Sequence, residues 1–476
     1  MPDTATAGVT LPIEVRNPRT GQVDYRFLPP TAAEMTARAR ALRAAQPRWG
    51  SMGIAARCEV MRRFADALET HREPIVTALA TDTGRTQIAA GELASAARNI
   101  RRWCERAPGI VATPAFDSKM VPTLTIGQQL VPYPLVGVIS PWNFPLALSM
   151  IDAVPALIAG CAVLIKPSEV TPRFAEPLRV AIRSVPELAA IFDLVPGGRD
   201  TGVQLIPLVD AICFTGSVAT GRKVGVAAAE HFIPAFLELG GKDPAVVLAG
   251  ADLEQASDGI LRSSCLATGQ ACLAIERVYV HESIHDALVD LLVAKSKQVR
   301  FNYPDINTGE IGPMIFAQQA DIIDAHLDDA VARGAVIRCG GKSQNLGGGR
   351  YVPATVVTHV THDMQLLRDE TFGPITPVMK FRTVDEAVAL ANDTVFGLSG
   401  AVFAPTLDEA RAVAERIDAG GMSLNDAGLT RETYEAEKHS FGFSGPGGSR
   451  HGDAGLLRFY RKKALLGQRG APAKLV

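Results

Sequence analysis

The sequence predicts an α/β protein built from two lobes, each a parallel sheet covered by helices. Its 476 residues exceed the ~250–300 residues that one hydrophobic core usually holds, so at least two lobes are expected. From about residue 131, short apolar runs alternate with helical stretches, which is typical of a doubly wound parallel sheet. The alternation starts again after the glycine pair at 240–241, and this restart predicts the second lobe.

The first part of the chain is predicted to be helical over 31–107. Thr31 and Glu34 form the pattern of a capping box, which marks the beginning of a helix, and apolar residues then recur at roughly helical spacing. Gly84 and the pair at 108–109 predict breaks between helices.

The alternating region divides into elements of ordinary length. In the first lobe we predict strands at 135–139, 161–165, 191–195 and 210–214, and helices at 144–159, 172–183 and 217–230. In the second lobe we predict strands at 245–248, 277–280 and 336–339, and helices at 253–267, 284–297, 321–333 and 384–392.

Two segments fit neither lobe. Residues 121–134 are β-prone without a helical partner, and residues 456–467 form an apolar and basic tail. Extended segments of this kind pair with other elements or other subunits.

Composition excludes several classes of protein. The formal net charge is −2, from 48 basic and 50 acidic residues, which argues against nucleic-acid binding because no basic face is present. The most apolar stretch, 146–165, is interrupted by Asp152, Pro155 and Gly160, so no membrane span is expected. The first ten residues lack the basic segment and apolar core of a signal peptide, which predicts a cytoplasmic location. The seven scattered cysteines fit a reducing compartment.

Three side chains could carry chemistry. Cys272 follows a glycine-containing turn in the segment Gly-Gln-Ala-Cys at 269–272, Glu238 ends an apolar run just before the glycine pair, and Asn143 lies between two prolines. A loop cysteine can act as a nucleophile, a carboxylate at a strand end can act as a general base, and a fixed amide can donate to an oxyanion. Taken singly, each also fits a structural role, as a buried cysteine, a capping glutamate or a turn asparagine.

Two further segments could bind a dinucleotide. Lys166 and Glu169 stand at the end of a predicted strand, where carboxylates bind ribose hydroxyls. The segment 214–221, Phe-Thr-Gly-Ser-Val-Ala-Thr-Gly, joins a strand to a helix whose N-terminus could receive a pyrophosphate. It lacks the Gly-x-Gly-x-x-Gly fingerprint, so neither signal is specific by itself.

A zinc-protease pattern is also present but is disfavoured. His281 and His285 match His-Glu-x-x-His, which requires both histidines on one helix face. His281 ends an apolar run and is predicted on a strand, so no metal is expected.

In this order and spacing, the five segments resemble the aldehyde dehydrogenase superfamily, and the resemblance runs from about residue 10 to 468. The 34-residue separation of Glu238 and Cys272 is similar to that family's. Two further matches are Asp-Glu-Thr-Phe-Gly-Pro at 369–374 and Gly-Met-Ser-Leu-Asn at 421–425.

The resemblance implies an NAD(P)-dependent, non-acylating enzyme that oxidises an aldehyde to a carboxylic acid. Cys272 would attack the aldehyde, Asn143 and the Cys272 backbone N–H would form the oxyanion hole, and Glu238 would activate the water that hydrolyses the thioester. The residues implied to bind the cofactor are Trp142, Lys166, Ser168, Glu169, Gly198, Gly202, Phe214, Gly216, Ser217, Leu239, Glu370 and Phe372. Glu169 favours NAD, because a carboxylate repels the 2′-phosphate of NADP, while Lys166 and Ser168 leave NADP open.

The resemblance also implies the assembly and the domains. A Rossmann-like cofactor lobe would comprise 1–120 and 135–237, a catalytic lobe 238–445, and a small β oligomerisation arm 121–134 and 446–476. The arm implies a homodimer or a homotetramer, and the expected partner is a small-molecule aldehyde.

The implied substrate pocket is apolar. Its matching residues are Phe144, Leu148, Ile151, Ala271 and Leu273. With no basic residue among them to bind a second carboxylate, they predict a hydrophobic aromatic or medium-to-long aliphatic aldehyde. The segment 439–448 departs from the family's Pro-Phe-Gly-Gly pattern, so the resemblance does not predict the conformation of the wall of the substrate funnel.

Two alternatives remain. A CoA-acylating aldehyde dehydrogenase would lack a water-activating carboxylate, so Glu238 argues against it. A catalytically silent structural or binding homologue is disfavoured by the presence of Cys272, Glu238 and Asn143 together.

Overall fold

The computed structural model describes residues 11–471. The segment on which the signal-peptide prediction rests, 1–10, lies outside the described residues, as do 472–476, the end of the predicted arm.

The chain begins with a two-stranded antiparallel ribbon and four helices. Thr31 and Glu34 form the predicted capping box at the first helix, and Gly84 ends the third in a left-handed conformation, as predicted. The elements are β1 (Ile13–Arg16), β2 (Val23–Phe27), α1 (Ala32–Ser51), α2 (Ile54–Thr70), α3 (Arg72–Thr83) and α4 (Thr86–Ile110).

A two-residue strand and a nine-residue strand then lead into a doubly wound sheet. Its five strands are all parallel, in the order β7-β6-β5-β8-β9, and β5, β6 and β8 are completely buried. The elements are β3 (Phe116–Asp117), β4 (Leu124–Pro132), β5 (Leu135–Ile139), α5 (Pro145–Ala159), β6 (Ala162–Lys166), α6 (Ala175–Arg183), α7 (Pro186–Ala189), β7 (Phe192–Leu194), α8 (Arg199–Leu205), β8 (Ala211–Thr215), α9 (Val218–Glu230) and β9 (Ala235–Glu238).

A seven-stranded sheet forms the second lobe, in the order β12-β15-β16-β11-β10-β18-β19. Only β12 runs antiparallel to its neighbour within it. The elements are β10 (Asp243–Val247), α10 (Leu253–Cys265), β11 (Ile275–His281), α11 (His285–Ser296), α12 (Ala317–Ala332), β12 (Val336–Cys339), β13 (Gln344–Leu346), β14 (Gly349–Tyr351), β15 (Thr355–Thr358), α13 (Gln365–Arg368), β16 (Ile375–Phe381), α14 (Val384–Asn392), β17 (Phe396–Gly397), β18 (Ser399–Phe403), α15 (Leu407–Ala414), β19 (Gly421–Leu424), β20 (Phe441–Gly442), α16 (Ala454–Leu457) and β21 (Tyr460–Gln468).

The two stray segments of the sequence pair with each other. Strand β21 runs antiparallel to β4 over its whole length, and β3 completes a three-stranded sheet. The part of the C-terminal segment before β21 behaves differently, because Leu456 and Phe459 pack into the core of the first lobe. The division into functional domains stays a prediction.

Two predicted boundaries are wrong. The helix expected at 253–267 ends at Cys265, because Ala267, Thr268 and Gly269 adopt left-handed conformations. The break expected at 108–109 lies inside the last turn of α4.

Helix α5 is tied at its C-terminal end by side chains of α1 and α2. The last carbonyls of a helix lack partners within it. Here Trp49 Nε1 donates to the Leu157 carbonyl at 2.8 Å, and Arg57 Nε donates to the Ile158 carbonyl at 2.9 Å. These buried bonds fix the helix that leads out of the Asn143 loop.

No helix within residues 11–471 combines the length and the apolarity needed to cross a membrane.

We expect Arg57→Met to lower the free energy of unfolding by about 3 kcal/mol, because it leaves buried carbonyls without donors. Urea unfolding followed by circular dichroism measures this. The control is Arg26→Gln, which removes the exposed ion pair with Glu14 and should cost less than about 1 kcal/mol. Equal losses in the two variants would contradict the assigned role of Arg57.

Candidate active site

A cavity of about 730 Å³ lies at the carboxyl ends of β5, β6 and β8. In a parallel sheet this edge is where ligands bind. The wall of the cavity includes all twelve residues that the sequence implied for cofactor binding: Trp142, Lys166, Ser168, Glu169, Gly198, Gly202, Phe214, Gly216, Ser217, Leu239, Glu370 and Phe372. Cys272, Asn143 and Leu148 line the same cavity, so one space connects Cys272 to the strand ends.

One end of the cavity is polar and carries several charges. Lys166 Nζ lies 2.9 Å from Glu169 Oε2, so each side chain orients the other. Arg199 and Lys223 also line the wall, and the sequence analysis did not identify them. Their positive charges offset that of Glu169 toward an anionic ligand.

The N-terminus of α9 faces this cavity through Ser217. The Ser217 side chain accepts a hydrogen bond from the backbone N–H of Thr220 at 3.3 Å, which caps the helix. A Cβ on Gly221 would lie 2.4 Å from Leu239 Cδ2, so a glycine is needed for α9 to pack this closely against the end of β9. Free N–H groups at such a terminus suit a pyrophosphate.

The loop before Cys272 is strained. Ala267, Thr268 and Gly269 have φ values of 56°, 61° and 67°, a conformation that costs about 1–3 kcal/mol at each non-glycine position. A Cβ on Gly269 would lie 2.2 Å from the Gly373 carbonyl carbon. The third position therefore requires glycine for both its conformation and its space.

Buried hydrogen bonds hold this loop in place. Thr268 Oγ1 donates to the Gly312 carbonyl at 3.1 Å and accepts from the Gly312 N–H at 2.9 Å. Gln270 Oε1 accepts from the Ile315 N–H at 2.9 Å, and Gln270 Nε2 donates to the Pro313 carbonyl at 3.3 Å. The hydrogen bonds to the segment 312–315 thus stabilise the left-handed conformation of the turn that precedes Cys272.

Asn143 is joined to the cysteine loop. Its side-chain amide donates to the Gln270 carbonyl at 2.9 Å, and Arg85 donates to the carbonyls of both Asn143 and Ala267. Glu92 Oε2 accepts from the first backbone N–H groups of α5, Leu146 at 3.0 Å and Ala147 at 2.9 Å. The sequence analysis identified neither Arg85 nor Glu92, because an Arg and a Glu in a helical region are usually exposed.

Both of these charged groups are buried. Burial raises the pKa of Glu92 to about 7, against the effect of its hydrogen bonds from Ala147 and Leu146 and the charge of Arg85. Burial lowers the pKa of Arg85 to about 10. The positive charge of Arg85 and the negative charge of Glu92 offset one another next to Asn143.

Glu370 is held in position from the second lobe. Its Oε1 accepts from the Gly241 N–H at 3.0 Å, and a Cβ on Gly240 would lie 2.4 Å from its Oε2. Buried Glu276 binds the next two backbone N–H groups, those of Thr371 at 2.8 Å and Phe372 at 2.7 Å. The glycine pair of the sequence therefore makes room for a carboxylate at the cavity wall.

The Cys272 thiol is less acidic than an ordinary cysteine. Burial, followed by the negative charges of Glu370, Asp243 and Glu238, raises its pKa to about 12, and Lys438 acts in the opposite direction. The thiol is therefore protonated at neutral pH, and a nucleophilic reaction must include removal of its proton.

Glu238 is half-buried at the end of β9, outside the cavity wall. Its Oε2 accepts a hydrogen bond from Ser440 Oγ at 3.2 Å, and its charge acts on Cys272. The structure therefore brings Glu238, Cys272 and Asn143 to one region.

The predicted substrate residues are only partly assembled. Leu148 lies on the cavity wall, whereas Phe144, Ile151, Ala271 and Leu273 do not. The sequence analysis also missed two basic residues, Lys438 and Arg431, each of which interacts electrostatically with Cys272.

The two histidines of the zinc-protease pattern lie on different elements. His281 ends β11 and His285 begins α11. Their Nδ1 atoms lie 2.8 Å from Ser283 Oγ and 2.6 Å from Asp286 Oδ1. Across 11–471, no group of three or more His, Cys, Asp or Glu side chains could hold a metal ion.

This geometry defines a two-lobed α/β enzyme with a dinucleotide-sized cavity that opens on a cysteine. The model of the aldehyde dehydrogenase family matches residues 5–465. The chain therefore belongs to the aldehyde dehydrogenase family.

Individual relatives agree. A protein of Mycolicibacterium smegmatis named "Putative succinate-semialdehyde dehydrogenase NADP(+)" is 32% identical over 438 residues, which cover 91% of this chain and 84% of that protein. The structure of "Putative Aldehyde Dehydrogenase PutA" from Anabaena variabilis is 51% identical, with a TM-score of 0.96, covering 98% of this chain and 99% of the other. A betaine aldehyde dehydrogenase from Staphylococcus aureus, solved in complex with NAD+, is 28% identical, with a TM-score of 0.91, covering 97% and 92%.

We expect alkylation of Cys272 by iodoacetamide in cofactor-free protein to rise about tenfold per pH unit between about pH 7 and 9, because the thiolate fraction is small throughout. Burial raises the pKa of Glu370 to about 8, so this carboxylate gains its charge within that range. Glu370→Gln should therefore speed alkylation about threefold at pH 9 and little at pH 6.5.

Mass spectrometry of the Cys272 peptide measures the rate apart from the other cysteines. Glu69→Gln, an exposed change on α2, is the control. A plateau in the rate near neutral pH would contradict a raised pKa.

Proposed function

We propose that the protein oxidises an aldehyde to a carboxylic acid with NAD+ or NADP+ and water, through a covalent intermediate on Cys272. The observation that carries the proposal is the shared cavity, because Cys272 and Asn143 stand on the wall that also holds Lys166, Glu169 and Glu370. The family of the chain supports the reaction class.

The chain's residues fit a nicotinamide dinucleotide. Lys166 and Glu169 would hold the adenosine ribose, the N-terminus of α9 the pyrophosphate, and Glu370 the nicotinamide ribose. The bound nicotinamide supplies the acceptor for the hydride that the aldehyde loses. Glu169 favours NAD+, whereas Lys166, Arg199 and Lys223 add positive charge that suits a 2′-phosphate, so both cofactors are proposed.

In the proposed reaction, the Cys272 thiol first gives up its proton to solvent, and the thiolate attacks the aldehyde carbon and forms a thiohemiacetal. Its oxygen is stabilised by the Asn143 side-chain amide and the Cys272 backbone N–H. Oxidation leaves a thioester on Cys272. Glu238 then takes a proton from water, the hydroxide adds to the thioester carbonyl, and the carbon–sulfur bond breaks to release the acid and the thiolate.

The proposed substrate is a hydrophobic aromatic or medium-to-long aliphatic aldehyde. Support comes from the apolar residues of the implied pocket, of which Leu148 lines the cavity. The assembly as a homodimer or homotetramer through the β3, β4 and β21 sheet and the cytoplasmic location stay predictions.

A second candidate is an aldehyde that carries a carboxylate. Within residues 11–471, Nη1 of Arg431 is buried without a hydrogen-bond partner, and this residue lies close enough to Cys272 to interact with its thiolate. Lys438 adds a second positive charge to the same region, and a relative is named for succinate semialdehyde.

We expect Glu238→Gln to keep the first turnover and to lose the later ones. The variant can form the thioester but cannot activate water, so a burst of reduced nicotinamide should precede a steady-state rate lowered about 10²–10⁴-fold. Stopped-flow absorbance with wild-type protein and Cys272→Ala, which should show no burst, completes the test. Full turnover by Glu238→Gln would exclude its proposed role.

The substrate class is decided by comparing kcat/KM for hexanal, benzaldehyde and succinate semialdehyde with each cofactor. We expect the two hydrophobic aldehydes to be preferred. A preference for succinate semialdehyde would instead establish the second candidate, provided that Arg431→Met lowers kcat/KM for that substrate more than about tenfold and leaves hexanal unchanged. Absence of activity with every aldehyde would favour a catalytically silent homologue, and product formation only with CoA would favour the acylating alternative.

A further inference from the structure

A buried cluster of charges lies behind Glu238, outside the cavity wall. Asp152, in the middle of α5, accepts two hydrogen bonds from Arg450, at 3.1 Å from Nε and 2.8 Å from Nη2. Arg458 donates to the same carboxylate. The side chains of Asp152, Arg450 and Arg458 are 1%, 6% and 3% exposed, so solvent screens none of these charges.

The cluster is not electrically balanced. One carboxylate faces two guanidinium groups, which leaves one positive charge in a buried site, and such a charge is costly without a further partner. Neighbouring His451 adds no charge, because burial, together with Lys438, Arg450 and other cations, lowers its pKa to about 3. Burial also raises the pKa of the Cys213 thiol, which is therefore neutral.

The sheet brings Glu238 beside this positive charge. Arg450 also donates to Thr215 Oγ1, and Thr215 at the end of β8 is the register partner of Glu238 at the end of β9. Register partners on adjacent strands point to the same face, with the strands about 4.8 Å apart. The guanidinium is therefore fixed one strand from the carboxylate.

We propose that Arg450 is a positioning residue for Glu238. Its guanidinium, oriented by Asp152 and Thr215, attracts the Glu238 carboxylate and directs it at the site where the thioester is hydrolysed. The hydrogen bond from Ser440 Oγ leaves the other carboxylate oxygen available to the water. Although burial acts to lower the pKa of Arg450, the charges of Asp152 and Glu238 outweigh it and raise that pKa, which agrees with this pairing.

The inference rests on the proposed role of Glu238 as the water-activating base. Its main consequence falls on the hydrolytic step, because the hydrogen bonds that hold Asn143 and the Cys272 turn come from Arg85, Thr268 and Gln270. The contact of Arg450 with the cavity wall is through Thr215. Loss of the positive charge should therefore slow hydrolysis of the thioester and leave its formation unchanged.

The test compares Arg450→Gln with Arg450→Lys in the full-length enzyme. For Arg450→Gln we expect a nicotinamide burst with unchanged rate and amplitude and a steady-state rate about tenfold lower at neutral pH. Arg450→Lys retains the positive charge and should restore most of the steady-state rate.

The matched control is Arg458→Gln, which removes the other guanidinium from Asp152 and leaves the hydrogen bond from Arg450 to Thr215 in place. Arg458 contacts β9 only through the ring of Phe236, over which its guanidinium stacks. It should lower the thermal midpoint as much as Arg450→Gln does, with less than about a twofold effect on the steady-state rate. An unchanged steady-state rate in Arg450→Gln, no recovery in Arg450→Lys, or equal kinetic effects in Arg450→Gln and Arg458→Gln would overturn the inference.

If Arg450→Gln does not fold, Thr215→Val tests the role of Arg450 instead. It removes the hydrogen bond that fixes the guanidinium beside Glu238, and should slow the steady state about threefold. Because Thr215 also lines the cavity, the burst is measured at saturating cofactor, where its amplitude should match that of the wild type. An unchanged steady state would overturn the inference. A burst that depends on Cys272 and a steady state that depends on Glu238, without any dependence on Arg450, would leave the proposed function standing and refute only this step.

Discussion

The active site depends on a turn that the backbone does not adopt readily. Three successive residues, 267–269, are left-handed, and only the last of them is a glycine. Such a turn persists where its surroundings leave no alternative, and here the bonds of Thr268 and Gln270 to the segment 312–315 provide that constraint. The strain ends α10 early and brings Cys272 to the cavity wall instead of into the helix.

Buried charged side chains connect this turn and the neighbouring parts of the site to other elements of the fold. Arg85 bonds the turn and the Asn143 loop together, Glu92 caps the helix that follows Asn143, and Glu276 fixes the segment that carries Glu370. Each of these three charged side chains forms hydrogen bonds with backbone groups of a loop or helix end. Removal of one of them therefore frees a loop, so the charges act mainly on geometry and less on net stability.

The sequence predicted the architecture well where the local pattern decides the structure. Three of the five parallel strands of the first sheet, β5, β6 and β8, are completely buried, and their apolar runs are visible in the sequence. The cavity wall could be predicted too, because the strand ends of a doubly wound sheet meet there. By contrast, the early end of α10 could not be predicted, since nothing in the helical pattern before Ala267 indicates left-handed backbone. Arg85, Glu92 and Arg450 were missed for a related reason: a charged residue in sequence does not reveal the buried partner that tertiary structure supplies.

Helix α5 links the two halves of the proposed reaction. Its N-terminal end is capped by Glu92 directly after the Asn143 loop, its middle carries Asp152, and its last carbonyls are bound by Trp49 and Arg57. The proposed oxyanion donor, Asn143, therefore lies directly before this helix, and Asp152 of the charge cluster behind Glu238 lies on it. A helix fixed at both ends keeps the donor and the charge cluster in register with one another. The proposed oxyanion donor and the groups proposed to orient Glu238 are therefore preorganised by the same helix.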